Sequence, residues 1–317
     1  MSTQEDDDND YIALDGYQIF YEMQGRKFNT LNQTYMLPAD DDEIQRFALF
    51  HRLLKFVFCG NSFPGLIQET LQSGEHRVLD VGTGKGDWAV ELCDMFPSVH
   101  VTGVDLVPIQ YQEVPPNCLF EIWDANAHDL PYEDGHFDLV HARAVHTGIR
   151  DYPHFLCEAG RILRPGGLIL LIEPDLRQWA NNKPEPKFKH GAGPRGWFTF
   201  WETYRRCLFL IGIDVTVPQR LKELLEETNM FEQIDEYEGE IPVGFYPRKK
   251  ALLTVGQLQW MAYDLFLPAL KPMFLSVLGL PEASVDQIIE GAQHDLYYTR
   301  FKLSSRLRIA YARRRPN

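Results

Sequence analysis

The chain has 317 residues, 44% apolar and 13% aromatic, enough to bury a full core and to build one large domain or a domain with a sizeable insertion. Its 45 acidic against 31 basic side chains give a formal charge of -14, a field that repels phosphate backbones and argues against a nucleic-acid partner. Five scattered cysteines (Cys59, Cys93, Cys118, Cys157 and Cys207) contain no C-x-x-C pair, so they read as reduced thiols and argue against a disulfide framework or a zinc cluster.

Taken in chain order, the opening "MSTQEDDDND" is acidic, polar and expected to be disordered. No apolar leader follows it, and no run approaches the roughly 18 consecutive apolar residues of a membrane span, so the expectation is a cytosolic or nuclear protein without membrane contact. The sequon Asn32-Gln33-Thr34 reads as a chance match in such a compartment. Residues 17–37, aromatic and carrying Arg26 and Tyr35, precede an amphipathic helix and read as a lid. Residues 1–60 are therefore expected to form a tail, lid and helix, and residues 61–317 the main domain.

From Arg77 to Leu170 the sequence alternates strand and helix. "RVLDV" is a strand, Asp87 to Phe96 a helix closed by Pro97, and "VHVTGVD" a second strand. "LFEIWDA", "FDLVHA" and "GGLILLIEP" follow as strands, the last after a helix from about Tyr152 to Leu163. Such alternation predicts a parallel sheet covered by helices on both faces. "LKELLEETNM" is amphipathic, "FEQIDEYEGEIP" alternates as a strand, and "FKLSSRLRIAYARR" closes the chain as another, its arginines on a solvated face. Two aromatic stretches, about 183–213 and 252–298, are too apolar for loops and are expected to cap the sheet.

The most informative stretch is "VLDVGTGKGDWAVEL". Gly82, Gly84 and Gly86 between a strand and a helix permit a tight turn and close approach of a ligand to bare backbone. No G-K-[ST] follows, which excludes a P-loop. Asp80 beside the first glycine disfavours a pyrophosphate and favours a ligand bearing an ammonium group, a description that S-adenosylmethionine meets. Asp105, about 20 residues on at the end of the second strand, stands where an acidic residue takes ribose hydroxyls. Asp124, at the end of the third strand, can accept from an adenine amino group while Trp123, Ala125 or Leu106 packs on the ring. Three acids at three successive strand ends line one crevice.

In order, "VLDVGTGKG", "GVDL", "FEIWDA", "LPYEDGHFDLVHAR" and "ILRPGGLILLIEP" resemble the motifs of class I S-adenosylmethionine-dependent methyltransferases. The flanking "GRKFNTLNQTYMLPADDDEIQRFALFHRLL", "PIQ", "VPPN" and "IPVGFYP" are similar to fungal LaeA-like members. Lys85 and Asp87 depart from that pattern, which usually has a neutral and an apolar residue there. The resemblance implies a Rossmann-like doubly wound sheet of seven strands, the last antiparallel, with a mainly helical cap and an N-terminal lid. It also implies that Asp80, Gly82, Thr83 and Gly84 hold the methionine end, Asp105 and Leu106 the ribose, and Asp124 and Ala125 the adenine. His141, Ala142 and Arg143 would line the floor near the sulfonium, with Tyr35 and Arg26 in the lid, Arg26 meeting the methionine carboxylate.

Methyl transfer is an in-line displacement that needs alignment, dryness and, for a protonated nucleophile, a base. His146 and His141 follow the fourth strand and are the candidate bases; His190, in the Gly- and Pro-rich "KFKHGAGPRGW", could gate the acceptor. The absence of "NPPY" argues against amino-methyltransferases of DNA bases and glutamine. The cap's aromatics favour a small, largely apolar or aromatic metabolite as acceptor, methylated on oxygen, nitrogen or carbon, and the resemblance to LaeA-like members implies a place in secondary metabolism. The other reading open to the sequence is a LaeA-type regulator that binds cofactor and acts through protein partners.

Overall fold

The computed structural model describes residues 19–58, 64–126, 129–184 and 193–316. His190, Cys59 and the acidic first ten residues lie outside them. A short hairpin opens the described chain, β1 (Phe20–Met23) with β2 (Arg26–Asn29), turned by Gln24 and Gly25, both at positive φ. This hairpin is missing from the sequence reading because its strands are four residues long and its turn carries Gln in place of the usual Asn or Asp. Helix α1 (Asp41–Val57) begins at Asp40, whose side chain accepts from the Glu43 N–H at 3.3 Å, and α2 (Pro64–Leu71) leads into the sheet.

The sheet elements follow as β3 (His76–Val81), α3 (Asp87–Met95), β4 (Val99–Asp105), β5 (Cys118–Ile122), β6 (Phe137–Arg143), α4 (Tyr152–Ile162) and β7 (Leu163–Ala180). A two-residue strand β8 (Lys183–Pro184) pairs with the end of β7. Helix α5 (Arg195–Leu210) and helix α6 (Leu221–Glu227) precede β9 (Phe231–Val243). The chain closes with α7 (Lys250–Ala269), α8 (Lys271–Leu278), α9 (Glu282–Tyr298) and β10 (Leu303–Arg314).

The main strands lie in the order β5-β4-β3-β6-β7-β10-β9. From β5 to β7 the pairs are parallel, and β10 runs antiparallel to both β7 and β9. The order of β4, β3 and β6 creates a topological switch between β3 and its neighbours, so the carboxyl ends of these strands open a crevice. Central β6 is buried along almost its whole length, as a strand covered on both faces must be.

Two strand ends depart from expectation. Strand β5 stops at Ile122, because the chain turns as the Trp123 N–H donates to the Asp105 carbonyl at 2.9 Å; Asp124 therefore stands just beyond the strand. Strand β7 runs six residues past Pro174, since β10 supplies pairing out to Ala180. On β10 the arginines meet the acids of β9: Arg306 reaches Glu238 and Glu240, and Arg308 pairs with Glu238. Those charges are thereby committed to the protein's own sheet.

Above the strand ends, α5, α7, α8 and α9 form the cap around Trp197, Phe200, Trp201, Tyr204, Phe266 and Phe274, all buried. The stretch Lys250–Leu278 is long and apolar enough to resemble a membrane span, but half of its window is buried within the fold, and α7 packs on α1 and α9. Helices α5 and α9 touch through glycine. A Cβ on Gly196 would lie 2.0 Å from the Gly291 carbonyl oxygen. We therefore expect Gly196→Ala to destabilise the fold by about 1–3 kcal/mol through overpacking. Thermal unfolding followed by circular dichroism reads this, and an unchanged midpoint would show that the helices can part freely.

Candidate functional site

A deep cleft opens at the carboxyl ends of β3, β4 and β6, with about 910 Å³ of empty space including its solvent-filled mouth. Gly82 and Gly84, at φ 67° and 59°, form one wall. A Cβ on Gly82 would fall 2.5 Å from Val145 Cγ1, whereas one on Gly84 would meet nothing within 4 Å. The first glycine thus lets the loop nest against the segment after β6; the second leaves backbone bare toward the cleft. Asp105 stands at the base: its Oδ2 accepts from the Gly84 N–H and its Oδ1 from its neighbour Leu106 N–H, both at 2.8 Å. Burial pushes its carboxyl up to about 6, against the pull of those backbone donors.

Asp124 and Ala125 line the far side with Trp123 and Leu106, an apolar slot with one carboxylate at its edge. Asp124 Oδ1 accepts from Asn32 Nδ2 and from the Asn126 backbone and side chain. Tyr35 closes the cleft from the N-terminal segment, packed so tightly that a Cβ on Gly148 would come within 2.9 Å of its ring. Burial raises its phenol well above the ordinary value.

The structure brings Tyr35, Gly82, Gly84, Asp105, Leu106, Asp124, Ala125 and Arg143 to one cleft. It separates five other expected residues from that wall. Asp80 is buried beneath the glycine loop, where Oδ2 accepts from Thr83 Oγ1 and Oδ1 pairs with His141 Nδ1, both at 2.7 Å. Asp80 and Thr83 therefore brace the loop from behind. His141 stacks on Trp88 at 3.9 Å between centroids and is fully buried; burial lowers its pKa, and it lines neither this cleft nor the neighbouring cavity. Ala142 is wholly inside the sheet. Arg26 is bound to Asp40, with Nη2 to Oδ1 at 2.8 Å, and stands outside the cleft lining.

Arg143 offers the charge that Arg26 does not. It faces the cleft, has no carboxylate within ion-pair distance among the described residues, and meets only His51 Nδ1, at 3.3 Å. Burial lowers its pKa while Asp80, Asp87 and Glu91 raise it. The unusual Lys85 lies over the Tyr111 ring, whose hydroxyl donates to Asp87, so the two loop charges meet one tyrosine.

A second cavity of about 770 Å³, again counting its mouth, adjoins the first. Leu37, Phe47 and Ala144 line both. Its walls are aromatic, from Phe50, Trp201, Tyr204, Tyr263 and Phe266, with Arg46, His146, Thr147, Asp175 and Gln259 as polar groups. Sequence reading missed the contributions of α1 and, within the N-terminal segment, of Asn32. Glu43 and Arg46, three apart, look like a solvated helical pair, yet Glu43 is buried and the pair is bidentate at 2.6 and 2.7 Å. Asn32 was hidden by its sequon; buried, it donates to Asp124 and to the Gly148 carbonyl and accepts from the Thr34 and Tyr35 N–H groups.

A glycine-walled cleft with a carboxylate at the second strand end defines an enzyme that binds an adenosine-type cofactor on an α/β sheet. Comparison with known proteins agrees. Residues 40–230 match the family model described as a methyltransferase domain. A secondary metabolism regulator laeA from Coprinopsis cinerea is 30% identical over 92% of this chain and 73% of its own length. A protein-methionine methyltransferase laeA from Emericella nidulans is 30% identical over 56% of this chain, a match spanning about half, 46%, of that relative. Among solved structures, a putative methyltransferase from an antibiotic biosynthesis pathway of Anabaena variabilis is similar with a TM-score of 0.49 and 15% identity, covering 78% of this chain and 94% of the other.

The chain belongs to the S-adenosylmethionine-dependent methyltransferase family, and within it to the LaeA-like group. The residues present fit that cofactor: open space beside Gly84, a carboxylate for a diol at Asp105, an apolar slot edged by Asp124, and at Arg143 a cation with no carboxylate in ion-pair distance among the described residues.

The raised value of Asp105 has a definite sign. Its folded-state value exceeds the ordinary 3.8, so the stability it contributes is fully present below 3.8 and is lost as pH rises through about 6. Ribose hydroxyls donate best to the ionised form. Across that window wild-type protein should lose thermal stability relative to Asp105→Asn while gaining affinity for S-adenosylhomocysteine. Parallel pH profiles for the two proteins, in melting point and in binding, would contradict this.

Proposed function

We propose that this protein transfers the methyl group of S-adenosylmethionine to a small, largely apolar or aromatic metabolite held in the second cavity. The observation that carries the reading is adjacency: Ala144, Leu37 and Phe47 line both cavities, so a donor in the first and an acceptor in the second would lie side by side, with only these apolar side chains at their boundary. In this reading Asp105 accepts from the ribose hydroxyls, Asp124 from the adenine amino group, and Leu106, Trp123 and Ala125 sandwich the base. Gly82 and Gly84 give backbone to the methionine end, and Arg143, in place of Arg26, meets its carboxylate. Bound there, the cofactor supplies an electrophilic methyl group on a sulfonium. The chain aligns it, keeps water out with Tyr35 and the N-terminal segment, and supplies a proton acceptor where the nucleophile needs one. Of the two histidines, His146 serves that role, because it lines the acceptor cavity and His141 does not.

A second reading is supported by the name of the Emericella relative, which states a protein methionine as acceptor. On that reading the second cavity receives a methionine side chain, and the regulatory role named for the relatives follows from modifying a protein.

Calorimetry with purified protein tests the cofactor site. Asp105→Ala should weaken S-adenosylmethionine and S-adenosylhomocysteine by about 1.5–3 kcal/mol through loss of a charge-assisted contact, and Arg143→Ala by a similar amount. Arg26→Ala should leave binding unchanged. A loss at Arg26 with none at Arg143 would reverse the carboxylate assignment, and preference for NAD would remove the cofactor reading.

A further inference from the structure

The carboxylate of Glu173, at the end of the parallel part of β7, is wholly buried. Its Oε1 accepts from the backbone N–H groups of Val145 and His146 and from the Tyr152 hydroxyl, each at 3.2 Å. Its Oε2 meets His146 Nδ1 at 2.7 Å. Every other neighbour of this carboxylate is a donor, so it accepts from His146 too, and Nδ1 is the ring nitrogen that carries the hydrogen. That leaves Nε2 with a lone pair. His146 is buried and lines the second cavity, and its Nε2 has no hydrogen-bond partner. A buried, unpartnered nitrogen lone pair is costly unless a ligand answers it.

We propose that Glu173 and His146 form a dyad in which Glu173 is a positioning residue, fixing the tautomer and rotation of His146, and His146 Nε2 takes the proton of an acceptor hydroxyl. The proposal rests on the methyl-transfer reading above and narrows its substrate class. A thioether has no proton to lose, so a methionine acceptor would make no use of the dyad, whereas an alcohol or phenol requires it. The acceptor oxygen gives its proton to Nε2 and its electron pair to the methyl carbon, while the carbon–sulfur bond leaves its pair on sulfur as the neutral thioether. The imidazolium, its charge held against Glu173, returns the proton to solvent when the products leave. Charged and titratable groups face His146 from several elements: Glu173 on β7, Tyr152 on α4, Tyr204 on α5, and, around the cavity, Arg46, Asp175 and Arg306.

Two measurements on the full chain test this. Nitrogen-15 NMR of histidine-labelled protein, with the His146 signals identified by their loss in His146→Gln, should show neutral His146 as the Nδ1–H tautomer with and without S-adenosylhomocysteine. The Nε2–H tautomer would overturn the dyad, and wild-type protein needs no variant to fold for that answer. Release of S-adenosylhomocysteine is then followed with a series of para-substituted phenols as hydroxyl probes and N-acetylmethionine amide as a thioether probe. We expect turnover of phenols alone, reduced about 10²–10⁴-fold in kcat by His146→Gln with cofactor affinity kept. Glu173→Gln retains an acceptor oxygen but not the charge. It should lower kcat about 10²-fold with little change in KM and move the acid limb of the pH profile to lower pH, which a purely structural residue would not do. Turnover of the thioether probe, undiminished in both variants, or turnover of no phenol, would overturn the acceptor class. If wild-type protein bound no S-adenosylhomocysteine, the cofactor reading itself would fall; retained binding with the wrong tautomer removes only the dyad.

Discussion

The turn that leaves β6 depends on one buried carboxylate. Glu173 gathers two backbone N–H groups, a tyrosine hydroxyl and an imidazole from the segment Val145 to Tyr152. Removing such a group from water costs several kcal/mol unless its oxygens are fully engaged, and here four donors engage them. The same turn holds Ala144 at φ 56°, a left-handed conformation that side chains other than glycine seldom adopt, steadied by its N–H bond to the Ile172 carbonyl. Because Ala144 lines both cavities, and Val145 and His146 each line one, the carboxylate that fixes this turn also fixes how the cavities meet. Gly82 is small for the same reason: Val145 occupies the space its Cβ would need.

The parallel half of the fold was legible in the sequence because its signals are local. Apolar runs of five to seven residues, glycines at a strand-to-helix turn and acids at strand ends are set by backbone pairing, and they lie where the sequence places them, from His76 to Ile172. Partner choice was not legible. Asp80 looks like a ligand group because it is charged beside the glycines, yet His141 arrives from the neighbouring strand, paired with it in register, and takes that charge. Arg26 looks free until the fold brings Asp40 to it, whereas Arg143, expected on the floor of the site, faces the cleft with no carboxylate in ion-pair distance among the described residues. For Asp80 and Arg26 the deciding fact is a contact between residues far apart in sequence, which spacing alone does not encode.

The second cavity obeys different constraints. Its walls come from α1, α5, α7, β7 and β10, elements that share no local motif and are assembled by the packing of aromatic side chains in the cap. The extension of β7 beyond Pro174 is part of this assembly. It carries Asp175 and Leu176 into the cavity wall, and it does so only because β10 continues the sheet beside it. Asp175 is buried and held by Arg177 and Gln219, so the cavity's polar groups are largely spoken for by the protein itself.

This division explains why one half of the site is general and the other particular. The first cleft is walled by backbone and strand ends, features that the sheet imposes on any sequence able to form it. The second cavity is built from side chains whose positions depend on the cap, and Arg46 illustrates the consequence. Its charge is matched by Glu43 on the same helix and its guanidinium lies over the Phe47 and Phe266 rings, so it shapes an aromatic wall without presenting an unpaired charge. Among the residues of the second cavity, the imidazole of His146 is held at one nitrogen and unanswered at the other. On the proposed reading, chemistry and selectivity are separated in space: the cap selects what enters, and the turn after β6, fixed by Glu173, sets which atom of it faces the methyl group.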